Sequence, residues 1–318
     1  MYNRKTRTAT AFNYRARMRR RRIFLAIMAL AAVGVIFAVL RKTGLPTIAG
    51  AGRQRREILR LWENASYLEV YELSRDALET RPTDYFLLTM YGFSAFQLGD
   101  SRINNLDAAL YFDECIRSLR KATLHKNAAN DGRLYYVLGK AYWYKGESYA
   151  DLSVKYLEKA VELSHNASDI PEFLGLAYAS IGDYRGSVAA FSGALNPSEG
   201  SPGQPLLLLS IARSYIALED HEAARAYLYR CIEVSTDSNV VFQAELLLSE
   251  TLANSGDTGG AIKLLENMLK KYGVNAEIHF RIGELYTRQG DAARARAEWR
   301  LALRADPAHA GVRMRLSL

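Results

Sequence analysis

The side chains best suited to recognition chemistry lie close together between residues 133 and 149. Basic and aromatic residues follow one another there at intervals of three or four, which places them on one face of a helix: Arg133, Tyr136, Lys140 and Trp143. The same stretch is rich in aromatic residues: Tyr135, Tyr136, Tyr142, Trp143, Tyr144 and Tyr149. Exposed aromatic side chains beside cations are the usual hot spots of protein interfaces. An aromatic stripe at helical spacing is also typical of a packed core, so both interpretations stay open.

Catalytic chemistry is suggested by the stretch from Gly256 to Gly260. It reads GDTGG and resembles the GDSGG active-site motif of trypsin-like proteases. A threonine replaces the nucleophilic serine, and the chain offers no β-barrel that would present histidine and aspartate to it. Aspartate recurs at the equivalent place elsewhere in the chain, at Asp100, Asp183 and Asp291. We therefore interpret the motif as a repeated turn and not as an active site.

Cofactor and metal chemistry find no support in the sequence. The pair Gly139-Lys140 lacks the upstream glycine and the preceding strand of a phosphate-binding loop. The five histidines are scattered, and none has a partner at metal-ligand spacing. We therefore predict a protein that is not an enzyme and that carries no cofactor and no metal.

The charge is distributed unevenly along the chain. The 318 residues have a formal net charge of +8, but residues 1–56 contain fourteen of the 42 Lys and Arg and none of the 34 Asp and Glu. The remaining 28 basic and 34 acidic residues give residues 57–318 a net charge of −6. A nucleic-acid-binding domain carries a basic face on its folded part, so we predict no nucleic-acid partner.

Residues 23–40, IFLAIMALAAVGVIFAVL, contain no charged side chain. A helix of this length measures about 27 Å, close to the hydrocarbon core of a bilayer. The apolar stretch is longer than that of a cleaved signal peptide. Nine basic residues precede it, and basic residues stay on the cytoplasmic side. The sequence therefore predicts a cytoplasmic tail (1–22), a transmembrane helix (23–40), a linker (41–56) and an extracytoplasmic domain (57–318).

Residues 57–318 contain internal repeats, and the stretch 133–149 belongs to one of them. Three stretches share the order large residue, glycine and then an aromatic residue: Leu138, Gly139 and Tyr142; Leu174, Gly175 and Tyr178; Ile282, Gly283 and Tyr286. A turn residue follows each of them and recurs at intervals of 34 to 47 residues: Ala65, Gly99, Gly146, Gly182, Glu219, Gly256 and Gly290. A period of this length indicates an array of stacked structural repeats.

This pattern resembles the tetratricopeptide repeat, a pair of antiparallel helices joined by a tight turn. The resemblance covers residues 57–309 and implies an all-α solenoid, a right-handed superhelix of about seven units that stack because no unit buries its apolar face alone. In this family, partner-binding side chains come chiefly from the first helix of each unit. The resemblance therefore implies a protein-binding surface at Arg133, Tyr136, Lys140, Trp143, Tyr144, Leu209 and Arg213.

The resemblance has three further implications. Cys115 and Cys231 fall on a small-residue position of second helices, which predicts buried filler and not a disulfide. Trp143 either lines a partner groove or packs under the long link at 121–132. Some family members clamp a C-terminal carboxylate with Lys and Asn at inner positions, and the corresponding pairs here do not match: Tyr136/Lys140, Glu172/Leu176 and Leu209/Arg213.

These inferences together predict a scaffold or adaptor in the inner membrane of a bacterium, with its N-terminus in the cytoplasm and its repeats in the periplasm. It would bind other proteins at the envelope and contact the membrane through residues 23–40. The alternative is a structural component of a large periplasmic assembly, such as the collar of a spirochaetal flagellar motor, in which the chain is part of an oligomer.

Overall fold

The computed structural model describes residues 48–101, 105–195 and 203–316. The predicted tail at 1–22 and the predicted transmembrane helix at 23–40 lie outside the described residues. Within the described ranges the chain forms α-helices and short 3₁₀ helices and no strand, which confirms the all-α fold. None of these described helices is both long enough and apolar enough to cross a bilayer.

The described residues contain fifteen α-helices, and the repeat pattern groups the first fourteen, in chain order, into seven successive pairs. In chain order they are α1 (Ile48–Glu63), α2 (Tyr67–Thr80), α3 (Tyr85–Asp100), α4 (Asn105–Ala122), α5 (Gly132–Lys145), α6 (Ala150–Glu162), α7 (Ile170–Ser180), α8 (Tyr184–Ala194), α9 (Gln204–Ala217), α10 (His221–Val234), α11 (Ser238–Asn254), α12 (Thr258–Tyr272), α13 (Ala276–Arg288), α14 (Ala292–Ala305) and α15 (Ala310–Arg315). Residues 48–56 were predicted to be part of the linker, but they form the first half of α1. The same helix carries Ile58, which is buried in a hydrophobic cluster.

The helices form two compact bodies, with the boundary between Leu98 and Gly99. In the first body, α1, α2 and α3 contribute Ile58, Val70 and Leu87 to a common core. In the second body, each helix from α4 to α15 packs on the next helix in the sequence. The first helices of neighbouring pairs also contact each other, α5 with α7 and α9 with α11. The second body therefore has the stacked arrangement that the repeats predict.

The turns within the pairs lie where the sequence predicts them. The backbone has a positive φ at six of the seven turn positions: Ala65 (55°), Gly146 (120°), Gly182 (81°), Glu219 (59°), Gly256 (95°) and Gly290 (79°). The prediction of a turn at Gly99 is wrong, because α3 continues to Asp100. At Gly99 glycine is instead required by packing, since a Cβ atom there would lie 2.9 Å from the Phe112 ring.

The glycines of the repeat pattern let the two helices of a pair approach closely. A Cβ atom on Gly139 would lie 2.7 Å from Cγ of Leu157, and one on Gly175 would lie 2.7 Å from the Phe191 ring. A Cβ atom on Gly283 would overlap the Trp299 indole. The predicted role of the small residues is therefore confirmed.

The protease-like motif is a helix cap. Gly256 has a φ of 95° in the turn before α12. Asp257 follows as the N-cap, and its Oδ1 accepts a hydrogen bond of 2.8 Å from the backbone N–H of Gly260. Asp183, Asp220 and Asp291 cap α8, α10 and α14 in the same way. Aspartate is a preferred N-cap because its carboxylate satisfies a free N–H in the first turn, which confirms the turn interpretation.

Both cysteines are free and fully buried. Cys231 Sγ lies 3.2 Å from the carbonyl oxygen of Pro205, within reach of a weak S–H hydrogen bond. Burial raises the pKa of Cys231 to about 11 and raises that of Cys115 as well. The prediction that both thiols are small buried filler is therefore confirmed.

Candidate protein-binding groove

One cavity of about 590 Å³ opens along the first helices of three successive pairs in the second body. We call it the α5–α9 groove and define it by its lining residues: Trp143, Glu147, Leu176, Ala179, Ser180, Tyr184, Phe191, Ser210, Arg213 and Ser214. α5 and the 3₁₀ turn after it supply one wall, α7 and α8 supply the floor, and α9 supplies the other wall. The floor is apolar and the walls carry polar and charged groups, which is the composition of a protein interface.

Two of the predicted site residues meet in this groove. Trp143 on α5 and Arg213 on α9 belong to the third and fifth pairs, and both line the same cavity. Each was predicted separately from its own repeat. The structure therefore shows that the two predicted sites form one surface.

Trp143 combines the two roles that the sequence left open. One part of its side chain packs against Ala150, Val154 and Ala177 of α6 and α7, beside Tyr178. The other part faces the groove. These neighbours lie on α6 and α7 and not in the link at 121–132, in which residues 126–130 form a 3₁₀ helix. Removal of the indole would therefore affect both the packing and the groove.

Tyr136 and Lys140 form a polar cluster with Asp169, the residue that precedes α7. The Tyr136 hydroxyl donates to the Asp169 carboxylate at 2.8 and 2.9 Å. Lys140 Nζ donates to Asp169 Oδ2 at 2.7 Å and to the Tyr136 hydroxyl at 3.3 Å. Nζ also lies 4.5 Å from the centre of the Phe173 ring. Burial and the bond to Asp169 raise the pKa of Tyr136 and keep it neutral, so the cluster joins α5 to α7.

Tyr144 lies on the same face of α5 and is 42% exposed. Its ring stacks on Phe112 at a centroid distance of 5.0 Å and contacts Phe173 at 5.9 Å. Burial, followed by the nearby Asp100 carboxylate, raises the pKa of Tyr144 to about 12. Arg133 is exposed in the first turn of α5. Tyr136, Lys140 and Tyr144 therefore lie on α5 beside the groove. They are not among the residues that line it.

The prediction that Leu209 lies on the binding surface is wrong. Leu209 is 3% exposed and packs in a core cluster with Leu208, Cys231 and Val240. The exposed leucine of α9 is Leu206, at 56% exposure. Ser210 follows Leu206 by four residues, and Arg213 follows Ser210 by three, so the three side chains share one face of the helix. The helix is thus rotated relative to the prediction so that its most buried face meets α10 and α11.

Arg213 is exposed and makes one hydrogen bond within the described residues, from a terminal guanidinium nitrogen to Oε1 of Gln243 at 3.0 Å. The groove residues of α7 and α8 were not among the predicted binding residues, notably Ser180 and Phe191, although Leu176 was assigned to an inner position. Leu176 and Ser180 follow Phe173 at helical spacing, a signal that would have identified the inner face of α7.

In the part of the chain that the structure describes, no three His, Cys, Asp or Glu side chains come together at a possible metal site. The polar groups of the groove are three serines, a tyrosine, a glutamate and an arginine. Such a set can hydrogen-bond and pair with charges on a partner. The groove therefore has the chemistry of recognition.

The comparison with family models decides the family. A model described as a tetratricopeptide repeat-like domain matches residues 156–317, half of the chain. The chain belongs to the tetratricopeptide-repeat family. A second model, described as a tetratricopeptide repeat, matches residues 132–166, so the two matches together include all the helices that line the groove.

A solved tetratricopeptide-repeat structure resembles the chain in fold. The C-terminal part of a repeat-containing protein from Cytophaga hutchinsonii matches with a TM-score of 0.56 and 16% identity, and the match covers 83% of this chain and 100% of that one. A repeat protein from Parabacteroides merdae matches with a TM-score of 0.47 and 14% identity over 83% of this chain and 98% of that one. No curated protein matches the sequence.

Proposed function

We propose that this tetratricopeptide-repeat chain is a non-catalytic scaffold that binds another protein in the α5–α9 groove, at the envelope of a bacterium. The observation that carries the proposal is the groove: Trp143 and Arg213, two units apart, line one cavity of about 590 Å³. An aromatic side chain and an arginine around an apolar floor are the typical hot-spot residues of an interface. The curvature of stacked repeats provides an extended surface of this kind for a partner.

Membrane anchoring is the second part of the proposal. It is supported by the uncharged stretch 23–40, which is long enough for a bilayer, and by the nine basic residues that precede it. The groove would then lie outside the cytoplasm.

Protein binding in the groove is tested by site-specific photocrosslinking in cells that produce the full chain. A photoreactive residue at Ser180, which lines the groove at the end of α7, is expected to form a discrete adduct with a partner. The same residue at Ser192, exposed on α8 outside the groove, is the matched control and should form none. A Ser210→Trp substitution fills the groove and should abolish the Ser180 adduct.

Equal adducts from Ser180 and Ser192, or no adduct from Ser180, would contradict the proposal. The number and the yield of the Ser180 adducts distinguish a permanent assembly from a transient adaptor. An adduct with one partner in fixed stoichiometry indicates a permanent assembly, whereas several minor adducts that vary with growth conditions indicate a transient adaptor.

Topology is tested with reporters fused after Leu318. We expect activity from alkaline phosphatase, which folds only outside the cytoplasm, and none from a cytoplasmic reporter at the same place, because the nine basic residues hold the N-terminus inside. Deletion of residues 23–40 is the control and should release the chain from the membrane fraction. Activity of the cytoplasmic reporter alone would refute the envelope location.

A further inference from the structure

The first helices of the second body are linked by a series of polar side-chain contacts between neighbouring units. Three of the contacts are ion pairs between a cation and a carboxylate: Lys140–Asp169 at 2.7 Å, Arg281–Glu250 at 3.2 Å and Arg315–Glu284 at 2.6 Å. Two further contacts differ, because Arg213 and Arg288 contact the neutral amides of Gln243 and Asn254. Arg213 is also the member of the series that lines the α5–α9 groove.

The Gln243 amide carries no charge, so among the described residues Arg213 has no carboxylate partner. A guanidinium has five N–H donors, and within the described residues one hydrogen bond, to Gln243, is made. Arg213 is exposed, so its remaining donors face solvent at the groove. A carboxylate is the group that best satisfies such a donor set, through two parallel charge-assisted hydrogen bonds.

The opposite wall of the groove carries the opposite charge. Glu147 lies in the 3₁₀ turn after α5, is exposed, and makes no ion pair in the described part of the chain. The apolar floor lies between the two charges and is formed by Leu176, Ala179 and Phe191, with Trp143 beside it. The groove is therefore polar at both walls, with opposite signs, and apolar in the middle.

We infer that the occupant of the groove is an extended segment of a partner protein that carries a large apolar side chain between one acidic and one basic residue. The acidic residue pairs with Arg213, the basic residue pairs with Glu147, and the apolar side chain contacts the floor. This inference rests on the proposed function and adds the chemistry of the partner. Glu147 would repel the phosphates of a nucleic acid. The inner positions lack the pairs of Lys and Asn with which some family members bind a C-terminal carboxylate, which disfavours the C-terminus of a partner as the bound segment.

The spacing of the charges in the segment follows from the helices. Glu147 and Arg213 lie on either side of α7, so their separation is at least about two steps between packed helix axes of 8–10 Å each. An extended chain advances about 3.3 Å per residue. The acidic and basic residues of the segment should therefore lie about five or six positions apart, with the apolar residue near the middle.

The test measures binding of labelled peptides to the full chain in detergent by fluorescence anisotropy. The probe is a pool of eight-residue peptides in which lysine, leucine and glutamate follow one another in this order, each three positions after the last. The remaining positions carry glycine, serine or alanine. A second pool has glutamate first and lysine last. A pool with glutamine in place of both charged residues is the reference. We expect the better charged pool to bind roughly tenfold more tightly than the neutral pool.

The informative substitution is Gln243→Glu, which leaves Arg213 and the groove lining unchanged. It gives Arg213 an internal carboxylate like those of the three ion pairs, and the advantage of the charged pool should fall by roughly fivefold to tenfold. Asn254→Asp is the matched control, because Asn254 holds Arg288 as Gln243 holds Arg213, and it should change nothing. Arg213→Glu should reverse the preference, so that a peptide with lysine at both charged positions binds best.

The outcomes separate this inference from the proposed function. If the Ser180 adduct forms and Ser210→Trp removes it, but the charged and neutral pools bind alike or Gln243→Glu has no effect, the groove binds proteins and the charge inference is wrong. If neither adduct nor peptide binding is seen, both are wrong. Displacement of the peptides by an oligonucleotide at lower concentration than by the unlabelled peptide would identify a polyanion site and overturn the inference.

Discussion

A leucine in place of Gly175 or Gly283 is expected to lower the free energy of unfolding by about 3 kcal/mol. A Cβ atom on Gly175 would lie 2.7 Å from three atoms of the Phe191 ring, and that ring is 2% exposed. At Gly283 a Cβ atom would overlap the Trp299 indole and lie 3.1 Å from the carbonyl oxygen of Ala295. A backbone atom cannot rotate away, so the two helices of the pair must separate.

The measurement is urea or thermal unfolding of the full chain in detergent, monitored by circular dichroism. Gly193→Leu is the control, because a Cβ atom on Gly193 of α8 would meet no neighbouring group within 4 Å. It should be neutral or stabilise by up to about 1 kcal/mol, since leucine favours a helix over glycine. Equal stability of all three variants would show that the helix pairs do not approach closely at these glycines.

Asp169→Ala is the substitution with the second largest expected effect, a loss of about 2–4 kcal/mol of stability. It removes the acceptor of hydrogen bonds from both Tyr136 and Lys140. The Lys140 side chain is 12% exposed, so its charge would be left without its carboxylate in a largely desolvated position beside the Phe173 ring. An unpaired buried charge is more costly than no charge at all.

The physical reason is tested with Lys140→Met in both backgrounds. In the Asp169→Ala chain, Lys140→Met should restore part of the lost stability, because it removes the charge that has lost the Asp169 carboxylate; in the native chain it should destabilise. Glu162→Ala is the control, since the Lys159–Glu162 pair is exposed at 44% and 64% and is worth at most about 1 kcal/mol. If Asp169→Ala costs no more than Glu162→Ala, the cluster does not hold α5 to α7.

The parts of the fold that could be predicted from the sequence are those imposed by local backbone geometry. A turn of positive φ favours glycine, and the intervals between such residues locate Gly146, Gly182, Gly256 and Gly290. Glu219 has the same conformation without being glycine, and the regular period identified it. The small residues of the pairs and the buried cysteines were predictable for the same reason, because the repeat fixes which positions face a neighbouring helix.

The parts that could not be predicted depend on rotation and stacking. Residues 206–209 are four consecutive leucines, so the pattern does not say which of them faces the core, and Leu209 was chosen where Leu206 is exposed. Asp169 lies before α7, and its contact with Lys140 depends on how the third and fourth pairs stack. The groove itself joins three pairs, so no single repeat contains its signal.

The packing of each helix on its neighbours in the sequence has a consequence for the time at which the groove forms during synthesis. Every residue that lines the groove lies between positions 143 and 214, and α10, the partner of α9, ends at Val234. Contacts that are local in sequence form quickly, and a chain is synthesised from its N-terminus at about 5–20 residues per second. Because α9 also packs on α11, we expect the groove to be complete on the nascent chain once α11 has emerged, seconds before the C-terminal pair has been made.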